Sequence, residues 1–142
     1  MYKVLSRICN AITVLIMIGI FAVIIALIGP RIAGYGTYAV LSGSMEPTFH
    51  VGSIVYVDKS VTADEIEVGD PITFIKNDQL MATHRVIGIN PDTREFTTKG
   101  DANNTEDLNP VPFESLVGRA EHTIPYLGYI ALYVKTPKGR CV

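Results

Sequence analysis

The chain has 142 residues and a mass of 15.5 kDa, which allows one compact catalytic domain and leaves no room for a second. Hydrophobic residues make up 48% and charged residues only 18%, a composition that is too apolar for a disordered chain and indicates contact with lipid. The net charge of −2 argues against a nucleic-acid-binding surface, and two cysteines, Cys9 and Cys141, are too few for a disulfide framework or a cysteine-built zinc site.

The N-terminal segment has the length and composition of a transmembrane helix. No charged residue occurs from Ala11 to Ile28, and the longer apolar stretch Ile8–Ile28 would span about 30 Å as a helix, the thickness of a bilayer's hydrocarbon core. A cleaved secretory signal has a shorter apolar core, so we expect an uncleaved anchor over residues 1–30. The residues that disfavour helix after the span are Pro30, Gly34 and Gly36. They predict an irregular neck over residues 31–38.

The charged residues around this span predict its orientation. Lys3 and Arg7 precede the span, and Arg31 alone follows it closely. The cytoplasmic ends of membrane spans carry more Lys and Arg than the opposite ends. We therefore expect the N-terminus in the cytoplasm and the remaining domain on the outer face of the membrane.

Beyond the neck the sequence predicts a mainly β fold, a small antiparallel β domain over residues 39–134. The segments that alternate between apolar and polar residues, as half-buried strands do, are Ser53–Val57, Ile72–Lys76, Leu80–Ile89, Glu95–Lys99 and Leu116–His122. Turn-forming residues between them, at 77–78 and 90–93, favour hairpins over long crossovers. The acidic stretch Val61–Gly69 is predicted to be a surface connection.

The C-terminal stretch leaves one question open. Ile124–Val134 is apolar but has only eleven residues, against the roughly 20 that a spanning helix needs. We expect it to pack on the domain or to lie at the membrane interface. A basic tail follows over residues 135–142, with Lys135, Lys138 and Arg140. A second membrane span beyond this tail is an open alternative.

A serine in the segment Leu41–Thr48 is the first candidate for chemistry. Ser44 lies between Gly43 and the proline-fixed turn at Pro47. Such a turn can hold a hydroxyl exposed at a backbone corner with a main-chain amide beside it, as a nucleophile requires. An ordinary Ser/Gly/Pro loop that leaves a strand has the same composition, so Ser44 needs a partner before a catalytic role is indicated.

Three histidines are available as a general base. In Leu80–Ile89 the alternation of a strand places His84 on a face that otherwise carries apolar residues. On this observation alone, a core histidine hydrogen-bonded to a backbone carbonyl explains the position better than a catalytic base does. His50 follows a turn and is expected on the solvated surface, and no pattern supports a role for His122.

The polar segment Thr98–Asp107 supplies carboxylates, and its composition is that of an Asx-rich loop whose side chains cap their own backbone. An EF-hand calcium site is excluded, because its sixth position is Glu106 instead of glycine and its twelfth is Pro112 instead of glutamate. We expect neither a metal nor a cofactor.

A serine, a histidine and an aspartate together make acyl transfer possible. The imidazole takes the proton of the serine hydroxyl, and the carboxylate fixes the tautomer of the imidazole.

Four segments, in order, resemble the boxes of type I signal peptidases of the Ser-His branch, which is found in the endoplasmic reticulum, in archaea and in some spore-forming bacteria. Residues 42–48, Ser-Gly-Ser-Met-Glu-Pro-Thr, resemble the nucleophile box, and Gly69–Phe74 resembles the strand that follows it. Thr83–Ile87 is similar to the base box and Lys99–Asp107 to the acid box. The resemblance covers most of the chain.

The resemblance implies a role for each site residue. Ser44 would be the nucleophile, and the hydroxyl of Ser42 would help the amide of Ser44 to form the oxyanion hole. His84 stands where the common bacterial branch has a lysine base. Asp107 would orient His84, with Asp101 as the second choice. Substrates would have small side chains at the first and third positions before the cut.

The implied function is that of a membrane-anchored serine endopeptidase that cleaves N-terminal signal peptides from exported preproteins. Its partners would be preprotein signal peptides, the lipid bilayer and subunits of a secretion machinery. Its membrane would be a prokaryotic cell membrane or, alternatively, that of the endoplasmic reticulum. The main alternative function is a noncatalytic, membrane-tethered β module that binds signal-peptide segments or scaffolds a secretion complex. Binding without cleavage would identify that alternative.

Overall fold

Seven β-strands form one antiparallel sheet in the computed structural model, which describes residues 2–77 and 80–129. In chain order they are β1 (Tyr35–Ala39), β2 (Ile54–Asp58), β3 (Pro71–Asn77), β4 (Leu80–Asn90), β5 (Glu95–Lys99), β6 (Val111–Pro112) and β7 (Leu116–Ile124). The order across the sheet is β1-β2-β7-β3-β4-β5-β6, so β7 lies between β2 and β3. The predicted mainly β fold, preceded by one long helix, is confirmed.

The N-terminal helix, α1 (Tyr2–Ile32), is long and apolar enough to cross a membrane by its length and composition. Its large apolar side chains are exposed, as at Leu15 and Phe21. A helix that is apolar on every side is typical of a segment that meets lipid. The chain divides into two compact units, the helix up to Ala33 and the β domain from Gly34 onward.

Helix α1 continues past the residue at which the sequence predicted its end. Pro30 lies inside the helix, in its last turn. The helix continues for two residues beyond Pro30, and the amide of Ala33 donates to the carbonyl of Gly29 at 3.3 Å. The predicted end of the anchor at residue 30 is therefore two residues too early, and Gly34, which the sequence also marked as disfavouring helix, lies in the turn that follows Ile32.

The prediction of an irregular neck over residues 31–38 is wrong from Tyr35 onward, because strand β1 begins there. This strand pairs antiparallel with β2, from Tyr35 opposite Asp58 to Ala39 opposite Ile54. Its sequence, Tyr-Gly-Thr-Tyr-Ala, has no clean apolar alternation, and the hydrogen bonds of the neighbouring strand make it a strand. The two-residue strand β6 also lies outside the predicted segments.

Two clusters of buried side chains hold the sheet and its loops. The first cluster contains Ile66, Ile72, Phe74, Val86, Phe96, Val111 and Phe113. The second cluster contains Met45, Phe49, Val55, Val57 and Ala120. Burial of one large apolar side chain contributes about 1.5–3 kcal/mol, so each cluster fixes the segments that it joins. Ile66 belongs to the predicted surface connection Val61–Gly69, and it anchors that stretch to the core.

The predictions for the C-terminus fall mostly outside the described residues. Strand β7 ends at Ile124, the first residue of the apolar stretch. Residues 130–134, the tail over 135–142 and Cys141 lie beyond the described part of the chain.

Candidate active site

The turn that carries Ser44 follows strand β1. The amide of Glu46 donates to the carbonyl of Gly43 at 3.1 Å, and the amide of Phe49 donates to the carbonyl of Met45 at 2.9 Å. Met45 is only 2% exposed and belongs with Phe49 to the second cluster. Burial of these two neighbours fixes the turn, while Ser44 itself keeps part of its surface accessible.

His84 lies in the middle of β4, opposite Ile72 of β3. The residue is 8% exposed, and the ring of Phe74 meets its imidazole edge to face, with the centroids 6.1 Å apart and the planes at 70°. The predicted alternation along this part of β4 is present, since His84 and Val86 are buried and Arg85 between them is partly exposed. The strand and the aromatic ring together restrict the orientation of the imidazole.

Ser44, His84 and Asp107 meet in one hydrogen-bonded chain. Nε2 of His84 lies 3.3 Å from Oγ of Ser44, and Nδ1 lies 2.5 Å from Oδ2 of Asp107. Because a carboxylate only accepts hydrogen bonds, Nδ1 carries the proton and Nε2 is left to accept from the serine hydroxyl. This tautomer is the one that a general base needs. The side chains of His84 and Asp107 are 10% and 20% exposed, so water competes little for their bond.

Asp101, the second choice for the acid, binds a different partner. Its carboxylate accepts two hydrogen bonds from Arg85, from Nε at 2.7 Å and from Nη2 at 2.6 Å, and a third from the hydroxyl of Thr48 at 2.5 Å. The hydrogen bonds from Arg85 are the main cause that holds the pKa of the Asp101 carboxyl below its ordinary value. Arg85 and His84 are consecutive on β4 and point to opposite faces. The structure therefore brings Asp107 to the imidazole and leaves Asp101 with the guanidinium.

The hydroxyl of Ser42 lies close to the hydroxyl of Ser44, with the two Oγ atoms 3.3 Å apart. Ser42 is exposed, so its side chain faces the accessible side of the turn. A negative charge that develops on a carbonyl oxygen beside Ser44 would lie within reach of this hydroxyl.

The loop that carries both aspartates contacts the serine turn directly. The amide of Ala102 donates to the carbonyl of Ser44 at 2.9 Å. Gly100 leaves the space for this contact, because a Cβ at its position would lie 2.6 Å from the same carbonyl oxygen. The backbone thus sets the distance between the serine and the acid loop before any side chain contributes.

A cavity of about 440 Å³ opens beside these side chains. The residues of its polar part include Ser42, Ser44, His84 and Asp107, and those of its apolar wall include Ala39, Val40, Leu41, Phe49 and Val55. Residues 81–83 of β4 line another side. The cavity therefore offers apolar surface next to the serine hydroxyl, between the segment after β1 and strand β4.

The other two histidines lie apart from this chain of hydrogen bonds. His50 is exposed, as predicted, and its Nδ1 lies 2.5 Å from Oε2 of Glu46. His122 is exposed on β7, opposite Tyr56 of β2. In the part of the chain that the structure describes, no three His, Cys, Asp or Glu side chains come together in a way that could hold a metal ion.

Three residues that contact the site were not predicted from the sequence. Arg85 and Thr48 bind Asp101, and the hydroxyl of Thr98 donates to Oδ2 of Asp107 at 2.6 Å. A signal for Thr98 was present, because alternation along β5 places it on the same buried side as Phe96. A hydroxyl in the core needs a hydrogen-bond partner, and the nearby acid loop is the obvious source.

The fold and the site define a class: a small antiparallel β domain that brings a serine, a histidine and an aspartate together in the hydrogen-bonded order used by serine hydrolases. The family model of signal peptidases, peptidase S26, matches residues 11–103. The chain belongs to this family, and the resemblance drawn from the four boxes is confirmed. The matched range includes Ser44 and His84 and ends before Asp107.

Three curated relatives show how far the similarity extends. Signal peptidase I W of Bacillus subtilis (strain 168) is 41% identical over 96 residues, which are 66% of this chain and 50% of the relative. The human signal peptidase complex catalytic subunit SEC11C is 33% identical over 104 residues, 66% of this chain and 54% of that protein. The corresponding subunit SEC11 of Fusarium vanettenii is 31% identical over 103 residues, with 66% and 60% covered. The chain thus spans about half the length of the relatives that it matches.

Proposed function

We propose that the chain is a membrane-anchored serine endopeptidase that cleaves N-terminal signal peptides from exported preproteins. The observation that carries the proposal is the chain of hydrogen bonds from Oγ of Ser44 through the imidazole of His84 to the carboxylate of Asp107. Membership of the signal peptidase family supports the substrate class. The names of the relatives, signal peptidase I and signal peptidase complex catalytic subunit, support the same substrate and reaction.

Acylation uses the three side chains in order. Oγ of Ser44 attacks the carbonyl carbon of the scissile peptide bond while Nε2 of His84 takes the hydroxyl proton. The carboxylate of Asp107 keeps the imidazole in its tautomer and stabilises the imidazolium that forms. The negative charge on the carbonyl oxygen is held by the amide of Ser44 and the hydroxyl of Ser42. His84 then protonates the leaving amine, the C–N bond breaks, and the signal peptide remains as an ester on Ser44.

Deacylation repeats the same proton transfers with water as the nucleophile. Nε2 of His84 takes a proton from a water molecule, whose oxygen attacks the ester carbonyl. The second tetrahedral intermediate is held by the same two donors, and collapse returns the proton to Oγ of Ser44. The signal peptide leaves with a carboxylate at its new C-terminus, and the enzyme is restored.

The cavity and the helix supply the context for this chemistry. The apolar wall beside Ser44 suits short apolar side chains of an extended peptide, in keeping with a preference for small residues before the cut. Helix α1, with its N-terminus in the cytoplasm, would hold the enzyme in the membrane that its substrates cross. The word "complex" in the names of several relatives supports subunits of a secretion machinery as partners.

One experiment tests the proposal. The detergent-solubilised full chain is incubated with a preprotein, and cleavage is followed by electrophoresis and by sequencing of the new N-terminus. The wild-type chain should release the mature protein, whereas Ser44→Ala and His84→Ala should abolish cleavage and keep the circular dichroism spectrum of the wild type. His50→Ala is the matched control and should retain activity, because this exposed side chain binds only Glu46 among the described residues. Binding of the preprotein without cleavage would establish the noncatalytic alternative.

A further inference from the structure

We propose that Thr98 is a positioning residue for the acid of the triad. Its hydroxyl holds the carboxylate of Asp107 in the orientation in which that carboxylate meets His84. The inference rests on the proposed function and adds a fourth residue to the machinery. Thr98 is a positioning residue and not a catalytic one, because it acts through Asp107 and does not line the cavity beside Ser44.

One oxygen atom of Asp107 accepts both hydrogen bonds. Oδ2 lies 2.6 Å from Oγ1 of Thr98 and 2.5 Å from Nδ1 of His84. The amide of Asp107 also donates to the carbonyl of Thr98 at 2.8 Å. Thr98 therefore binds Asp107 at its backbone and at its side chain, and the side-chain bond goes to the oxygen that faces the base.

The surroundings of Thr98 make its hydroxyl a fixed donor. The residue is 0% exposed, so water does not compete for the hydrogen bond. The branched Cβ of a threonine also restricts rotation about χ1. Since a carboxylate only accepts, the hydroxyl proton must point toward Asp107. Thr98 also pairs with Val86 of β4, two residues from His84. Thr98, which positions Asp107, and His84 therefore lie on adjacent strands.

The carboxylate of Asp107 needs a second hydrogen-bond donor because the strands of the sheet do not fix its orientation. It lies in the loop between β5 and β6, outside any strand, with a side chain that is 20% exposed. Rotation about the terminal bond of an aspartate is broad, so one hydrogen bond to an imidazole does not fix the plane of the carboxylate. A second donor on the same oxygen restricts that rotation. Orienting the imidazole is the main task of the acid in a triad, which makes the angle of the carboxylate matter for the rate.

Packing alone does not explain a threonine at this position. Thr98 shares its side of β5 with Phe96, which is also 0% exposed. A valine would fill the same space without a polar atom to satisfy. The hydroxyl is satisfied by Asp107, and the bond links the interior of the sheet to the reacting side chains.

Two substitutions distinguish the effect of the Thr98 hydroxyl from the effect of the side chain's shape. Thr98→Val keeps the shape and removes the donor, whereas Thr98→Ser keeps the donor and removes a methyl group. We expect Thr98→Val to lower kcat by about 10- to 100-fold with little change in KM, the size that loss of one hydrogen bond to a charged group predicts. Thr98→Ser should restore most of the wild-type kcat. Thr97→Val is the matched control, because Thr97 points to the other face of β5 and should keep the wild-type rate. A Thr98→Val enzyme with wild-type kcat would overturn the proposal.

Two further measurements separate positioning from a general loss of structure. In the Asp107→Ala background, Thr98→Val should lower kcat no further, because a residue that acts through Asp107 has nothing left to act on. A full additional loss there would overturn the proposal. The second measurement is the proton resonance of His84 Nδ1–H, which should move or disappear in Thr98→Val and persist in Thr98→Ser. This resonance needs no substrate, so an unchanged signal in Thr98→Val rejects the positioning role, while a wild-type chain that cleaves no preprotein rejects the proposed function instead.

Discussion

Arg85 and Asp101 form a bidentate ion pair on the face of β4 opposite His84, with N···O distances of 2.7 and 2.6 Å. The guanidinium also donates to the carbonyl of Gly69 at 2.7 Å, and Thr48 donates to the same carboxylate. Gly69 has a φ of +105°, a conformation that favours glycine. The pair therefore joins four segments: the turn that carries Ser44 and Thr48, strand β4, the loop after β5 that carries Asp101, and the connection before β3. Its role is to hold these segments together.

Asp101→Asn should destabilise the fold. The substitution keeps the shape of the side chain but removes the negative charge of the carboxylate, which accepts two hydrogen bonds from the guanidinium of Arg85. We expect a loss of about 1–3 kcal/mol in the free energy of unfolding, because a partly buried guanidinium is left without its counterion. Denaturant unfolding followed by far-ultraviolet circular dichroism in detergent measures it. Asp92→Asn is the control, since the Asp92 side chain is exposed in a hairpin turn; equal stability of the two variants would contradict the prediction.

Asp107→Asn should impair turnover far more than Asp101→Asn does. Loss of the orienting carboxylate in a known triad lowers kcat by about 10⁴, and Asp107 is the aspartate whose carboxylate meets Nδ1 of His84. At a temperature where both variants are folded, Asp101→Asn should keep most of the wild-type kcat. Initial rates of preprotein cleavage decide the matter. If Asp101→Asn alone were crippled, the orienting role would move to Asp101.

The Arg85–Asp101 pair also predicts how stability depends on pH. Arg85 holds the pKa of Asp101 below its ordinary value, so the folded protein binds this proton more weakly than the unfolded chain does. The contribution is fully present above the unfolded pKa of about 3.9 and is lost as the pH falls through the lower folded pKa. The difference in unfolding free energy between the wild type and Asp101→Asn should therefore be constant near neutral pH and shrink below about pH 4. A difference that stays constant to about pH 2 would contradict this account.

The parts of the fold that the sequence predicted are those whose signal is local. Strand β5 was predicted with its observed bounds, Glu95–Lys99, because apolar and polar residues alternate along it and turns bound it on both sides. Strand β1 was missed because its strand character comes from pairing with β2, which a single segment does not reveal. Helix α1 was found by its apolar length, and its predicted end at residue 30 lies two residues before the observed end at Ile32, because apolar length does not define the last turn of a helix.

The site shows the same division between local and long-range information. The alternation along β4 correctly predicted that His84 is buried. It did not distinguish a core histidine from a general base, because that distinction depends on the hydrogen-bond partners of the two ring nitrogens. Those partners come from segments 40 and 23 residues away. The choice between Asp101 and Asp107 likewise depends on which face of β4 each carboxylate reaches. Residue types predicted the possible chemistry, and the tertiary fold determined the neighbours.

Gly100→Ala should disturb the site through the backbone. A Cβ at this position would lie 2.6 Å from the carbonyl oxygen of Ser44, so the acid loop and the serine turn must move apart. We expect a loss of about 1–3 kcal/mol in stability, as is typical of overpacking, together with a fall in kcat because Ser44 moves relative to His84. Gly88→Ala is the matched control, since the Cβ it adds would lie 3.5 Å from the nearest atom, Cβ of Thr97, an ordinary contact. Thermal unfolding and cleavage rates, measured on both variants, should separate them. Equal behaviour of the two alanine variants would show that the contact between Gly100 and Ser44 does not constrain the active site.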